Sequence, residues 1–117
     1  MIGRRVEYPP NSGNGDVLDV PGLGTVEASC GNGNMRLGFR NRSEGTVTVF
    51  RDDGGNDPHV DALGSWGFVY LNIDKAGNEL GTLQLLGPSQ RLATVTVTGR
   101  APGPSTPCLF EAQGIVQ

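Results

Sequence analysis

Alternation of apolar and polar residues runs along most of this chain. Residues Gly24–Cys30 place Val26, Ala28 and Cys30 on one side and Thr25, Glu27 and Ser29 on the other. Met35–Asn41 sets Met35, Leu37 and Phe39 against Arg36, Gly38 and Arg40. Thr46–Arg51 turns Val47 and Val49 inward, with Phe50 out of pattern at the core edge, and Leu92–Gly99 sets Ala93, Val95 and Val97 against Thr94, Thr96 and Thr98. A period of two is the signature of half-buried β-strands, and β-branched residues fit that surface. Asp16–Val20, Leu80–Leu86 and Cys108–Ala112 read as further strands, the last continued by 114–117, and Val60–Leu63 is a marginal one. Trp66–Ile73 is apolar on both faces and reads as a central, doubly buried strand.

Glycine, proline, asparagine and aspartate separate these runs. Gly31-Asn-Gly-Asn34 predicts a hairpin turn, and Asp74-Lys-Ala-Gly-Asn-Glu79 another. Arg100–Pro107 holds three prolines, which remove ladder donors, and reads as an exposed crossover. Residues 1–15 are rich in turn formers and read as a flexible N-terminal arm, leaving 16–117 as a single β-sandwich domain. No segment has helical periodicity. The expected fold is an all-β, antiparallel sandwich of about 7–9 short strands.

Two cysteines sharpen this expectation. Cys30 ends one strand and Cys108 begins another, so a Cys30–Cys108 disulfide would close nearly the whole domain and imply an oxidising compartment. There is no Cys-x-x-Cys, hence no thioredoxin-type or zinc-knuckle motif. With its disulfide, the sandwich resembles the immunoglobulin type in outline. Trp66 lies 36 residues beyond Cys30, and Thr106 stands two before Cys108 where that family has Tyr, so the resemblance implies the architecture and no ligand.

The formal net charge of −3 over 117 residues speaks against nucleic acid, whose binders carry a basic excess. Eight of the nine basic residues are Arg. No run approaches the roughly 18 apolar residues of a membrane span, and no signal peptide precedes the domain. Either a leader has been removed and Met1 comes from expression, or the chain starts here and needs no export; the cysteine pair favours the first.

Three groups are candidates for chemistry. Asp52, Asp53, Asp57 and Asp61, with Asn56, form an acidic loop that is a candidate for calcium, although it lacks EF-hand spacing and its residues are also ordinary loop formers. No other cofactor is implied. His59, the single histidine, lies between Asp57 and Ser65 without the elbow or signature of a hydrolase, so it reads as a loop residue. Arg36, Arg40 and Arg42, with Arg51 on an adjoining strand, form a basic stripe suited to carboxylates or phosphates, or simply to solubility and edge protection.

Trp66, Phe68 and Tyr70 share one face, either as core or, if exposed, as a platform for sugars. Asn41-Arg-Ser43 matches a glycosylation sequon. The expected function is a non-enzymatic, exported structural or binding module of a cell envelope or extracellular assembly. Its partner is a protein or another copy of itself, with an anionic polymer as a further candidate. Alternatives are a decoration or fibre protein of a virus particle, a secreted enzyme inhibitor using the 101–107 loop, and a calcium-dependent carbohydrate-binding module.

Overall fold

A computed structural model describes residues 1–31, 35–52, 59–75, 77–101, 103 and 105–117, with side chains outside 72–79. Ten strands are present among the described residues: β1 (Ile2–Tyr8), β2 (Gly13–Val20), β3 (Gly24–Cys30), β4 (Met35–Asn41), β5 (Val47–Asp52), β6 (His59–Leu63), β7 (Phe68–Lys75), β8 (Gly77–Leu86), β9 (Leu92–Ala101) and β10 (Cys108–Val116). They form a six-stranded sheet, β1-β10-β9-β8-β5-β6, and a four-stranded sheet, β2-β3-β4-β7. Every pairing is antiparallel. The protein is an antiparallel β-sandwich, and its core is the set of inward positions the alternation marks. Val26, Ala28, Met35, Leu37, Phe39, Val47, Val49, Ala93, Val95 and Val97 are all buried. Phe39 and Phe110 are the largest fully buried side chains.

Cys30 and Cys108 form a disulfide with a Cα–Cα distance of 5.8 Å. It joins β3 of one sheet to β10 of the other, so the covalent link crosses the core.

Several expectations are corrected. Ile2–Tyr8 of the supposed flexible arm is an edge strand paired with β10 from Ile2↔Gly114 to Tyr8↔Cys108. Its apolar residues Ile2, Val6 and Tyr8 alternate and pack on the core, a signal masked by the charged and glycine residues between them. The rest of that segment, from Gly13, already belongs to β2.

β4 and β5, read as adjoining strands, lie in different sheets, and β5 pairs with β6 and β8. Arg100 and Ala101 belong to β9, and because β9 and β10 are neighbours in one sheet, the chain between them links a hairpin and does not cross between sheets. β7 is an edge strand with one buried face, and Trp66 precedes it in a turn at φ 66°. Gly64 and Gly67 flank that turn, and the Gly67 N–H donates to the Gly64 carbonyl. Phe50 does not cap the core but stands on the outer face of the six-stranded sheet.

A buried polar hub supports the crossing from β4 to β5. Asn41 is fully buried. Its Nδ2 donates to the carbonyls of Gly45 (2.8 Å) and Leu63 (2.9 Å), and its Oδ1 accepts from the Ser43 N–H (2.8 Å) and Oγ (2.6 Å). Its own N–H and carbonyl bond Gly67 and Trp66. Every polar group of Asn41 is thereby satisfied, as burial demands. The sequon asparagine is a structural tie between the sheets, and its amide is inaccessible to a glycan in the folded protein.

Candidate recognition face

The outer face of the four-stranded sheet carries a ladder of arginines and aromatic rings. Register generates it: Arg40 of β4 lies opposite Phe68 of β7, and Gly38 lies opposite Tyr70. These are outward positions, because Leu37, Phe39 and Leu71 point into the core. Arg40 Cζ stands 4.9 Å from the Phe68 ring centre, Arg36 Cζ 5.4 Å from Tyr70, and Arg42 Cζ 5.5 Å from Trp66. Each distance is within cation–π range. Phe68 and Tyr70 meet edge to face at 4.8 Å between ring centres.

Gly38 makes this arrangement possible. A Cβ there would collide with the Phe68 ring and the Val69 carbonyl. The missing side chain lets Phe68 lie over β4.

The arginines are held by acids. Arg40 Nε donates to Glu27 Oε2 at 2.9 Å, and its Nη1 donates to the Trp66 carbonyl at 3.0 Å. Arg42 Nη2 is 3.4 Å from Glu27 Oε2 and 3.7 Å from Asp16 Oδ1. The Glu27 side chain is largely buried beneath them. Asn14, Glu27, Arg36, Arg40, Phe68 and Tyr70 surround a shallow recess of about 60 Å³. Trp66 stands at the margin with 62% of its surface exposed.

Arg36, Arg40 and Arg42 therefore share one face: a period of two places Arg36 and Arg40 there, and Arg42 joins them from just beyond β4. Arg51 does not join them. It sits in the other sheet, points inward, and donates from Nε to Asp61 Oδ2 at 2.8 Å and from Nη1 to the Tyr70 carbonyl at 2.6 Å. It fastens β5 and β6 to β7.

Trp66, Phe68 and Tyr70 stand together on the outer side. Phe68 and Tyr70 belong to the outer face while Val69 and Leu71 supply the core, so the aromatic side of the strand is not its buried side. Sequence reasoning missed Glu27 as a partner of the arginines. The available signal was its position in β3, directly opposite Gly38 and thus between Arg36 and Arg40 on β4.

Of the acidic candidates, the two described ones, Asp52 and Asp61, lie on opposite sides of the six-stranded sheet. Asp61 lies opposite Val49 and faces inward to Arg51, while Asp52 follows Phe50 on the outward side of β5. Asp53, Asn56 and Asp57 lie outside the described residues. Among the described residues no group of three or more His, Cys, Asp or Glu side chains converges as a metal site would require. His59 is exposed on edge strand β6, and the Ser65 hydroxyl donates to the Ser43 carbonyl at 2.7 Å. Among the described residues no helix is long and apolar enough to cross a membrane. Comparison with protein-family models, with curated proteins and with solved structures returns no match.

Proposed function

We propose that this protein is a non-enzymatic binding module of an extracellular or cell-envelope assembly, and that it engages a protein partner through the outer face of the four-stranded sheet. The observation that carries this reading is the arginine–aromatic ladder of Arg36/Tyr70, Arg40/Phe68 and Arg42/Trp66. Arginine, tryptophan and tyrosine are the residues in which binding energy concentrates at protein interfaces. The ladder is also held in place by Glu27 and by the Trp66 carbonyl, which lowers the entropy lost on docking.

The same geometry favours a protein over an anionic polymer. A polyanion gains affinity by neutralising open cations. Here Arg40 and Arg42 already share Glu27, and Asp16 adds a further carboxylate. A surface of mixed sign with aromatic rings suits a partner that presents both acids and apolar side chains. It suits sugars less, because a guanidinium is already stacked on each ring. The inter-sheet disulfide supports the extracellular part of the reading.

The test is affinity capture from the extracellular and envelope fraction of the source cells, with the wild type and an Arg42→Ala/Trp66→Ala variant as baits. A protein retained by the wild type and lost by the variant is expected, together with passage of the wild type through heparin. Firm, salt-sensitive heparin retention would favour a polyanion, and equal capture by both baits would remove the ladder from recognition.

A further inference from the structure

The opposite side of the sandwich carries a second, different surface. Cross-strand partners share a face, so the registers define rows on the outer side of the six-stranded sheet. One row runs Val60–Phe50–Gln84–Thr94–Ile115 across β6, β5, β8, β9 and β10. The adjacent row runs Ala62–Thr48–Leu86–Leu92. Neither row contains a charged side chain. Phe50 is 43% exposed, Val60 62%, Leu92 45% and Ile115 52%. Between Phe50, Leu86, Leu92 and Ile115 lies an open hollow of about 510 Å³. An antiparallel sheet with one face on the core ordinarily turns polar residues to water on the other. This face departs from that rule across five strands.

We infer that this face is a self-association surface, on which a second copy of the chain packs sheet against sheet about a two-fold axis. Three features select a copy of the chain over a foreign partner. An isologous interface sets each group near the axis against its own mate, so it must avoid charge and use groups that both donate and accept. The polar members of the two rows are Thr48, Gln84 and Thr94, and hydroxyls and amides do both. A foreign partner recognised by charge would find none here, although each chain carries a formal −3 elsewhere to guide one.

Shape is the second feature. A twisted sheet packs best on a sheet of matching twist, at about −30°, and the copy supplies one. Its own exposed Phe50 and Ile115 are apolar side chains for the hollow.

Area is the third. Five strands at about 4.8 Å and the two uncharged rows give a patch of roughly 24 by 14 Å; the next row, Thr82, Thr96 and Gln113, runs into Asp52 on β5 and marks its edge. The two copies together would bury on the order of 700 Å², an area that suits a weak, concentration-dependent dimer. The ladder on the four-stranded sheet stays outward in such a dimer, so this inference stands apart from the proposed partner and a dimer would present two ladders.

Sedimentation velocity of the full chain over a range of micromolar concentrations tests it. A monomer–dimer equilibrium is expected. Ile115→Glu and Leu92→Glu each place a charge on the apolar patch, to be buried in the pairing, and are expected to weaken the dimer by at least ~100-fold, with the circular dichroism of the sheet retained. Should either fail to fold, Ile115→Thr and Leu92→Thr keep strand propensity and are expected to weaken it measurably. Arg42→Ala/Trp66→Ala is expected to leave it unchanged. A monomer at every concentration overturns the inference. So does a dimer indifferent to substitutions at Leu92 and Ile115, or one lost through Arg42 and Trp66.

Discussion

Arg51 of the six-stranded sheet donates from Nη1 to the Tyr70 carbonyl of the four-stranded sheet at 2.6 Å. β7 is an edge strand, and its carbonyl would otherwise face the open side of the sandwich. The same guanidinium binds Asp61 through Nε. Truncation to Arg51→Met keeps the stem and removes both bonds. The ion pair is partly exposed and adds little, so the loss is dominated by the charged hydrogen bond, and about 1.5–3 kcal/mol is expected. Urea unfolding of the wild type and variant measures it. An unchanged midpoint would show that the tie between Arg51 and Tyr70 carries no stability.

Asn41 gives a second and larger effect. Replacement by Ala leaves the Leu63 carbonyl and the Ser43 N–H without the side-chain partner they now have, and leaves the Gly45 carbonyl only the Ser43 hydroxyl, inside the protein. A cost of about 2–4 kcal/mol is expected, at the upper end for a single substitution. Asn41→Asp keeps the acceptor, loses both donors and buries a charge, so it is expected to be at least as destabilising. Thermal unfolding of the two variants gives the ranking. A variant as stable as the wild type would mean that water replaces the amide.

The legible parts of this fold are those where one face of a strand is buried and the other wet. Leu92–Gly99 and Met35–Asn41 have this character, and their inward and outward sets are as the alternation predicts. The signal fails where both faces carry apolar residues. Phe68–Tyr70 reads as doubly buried, yet its outer rings are covered by arginines instead of another layer, and the long arginine stems supply that cover. Likewise Phe50 reads as a cap on the core edge because nothing in its own strand reports the row formed with Val60 and Ile115. β1 is hidden by Arg4, Arg5 and Glu7, because an edge strand solvates much of its surface. The grouping of Arg36 and Arg40 follows from a period of two. The separation of Arg51 from them does not, because it depends on β4 and β5 entering different sheets.

Gly38 sets the geometry of the ladder. Gly38→Ala adds a Cβ where the Phe68 ring lies, and the Val69 carbonyl blocks the alternative of shifting the strand. The ring is expected to swing outward, which parts it from Arg40 and from Tyr70. Near-ultraviolet circular dichroism is expected to lose intensity while the far-ultraviolet sheet signal persists. The cost of overpacking at such a site is about 1–3 kcal/mol. Retention of the full aromatic signal would show that the sheet accommodates the methyl group without moving Phe68.

The disulfide supplies the last prediction. Cys30 and Cys108 are 78 residues apart, and their bond crosses from one sheet to the other. Closing so long a loop removes disorder from the unfolded chain, and on the chain-entropy account this is worth about 4–5 kcal/mol as an upper value. Both cysteines are fully buried, so Cys30→Ala/Cys108→Ala also loses the packing of the sulfur atoms. The reduced wild type separates these effects, because it keeps the side chains and opens the loop. Reduction is expected to lower the urea midpoint substantially and to raise the slope of the transition, since a reduced unfolded chain exposes more surface. The double alanine variant is expected to fall slightly below the reduced wild type. If both match the oxidised protein, the link between β3 and β10 is not what holds the two sheets together.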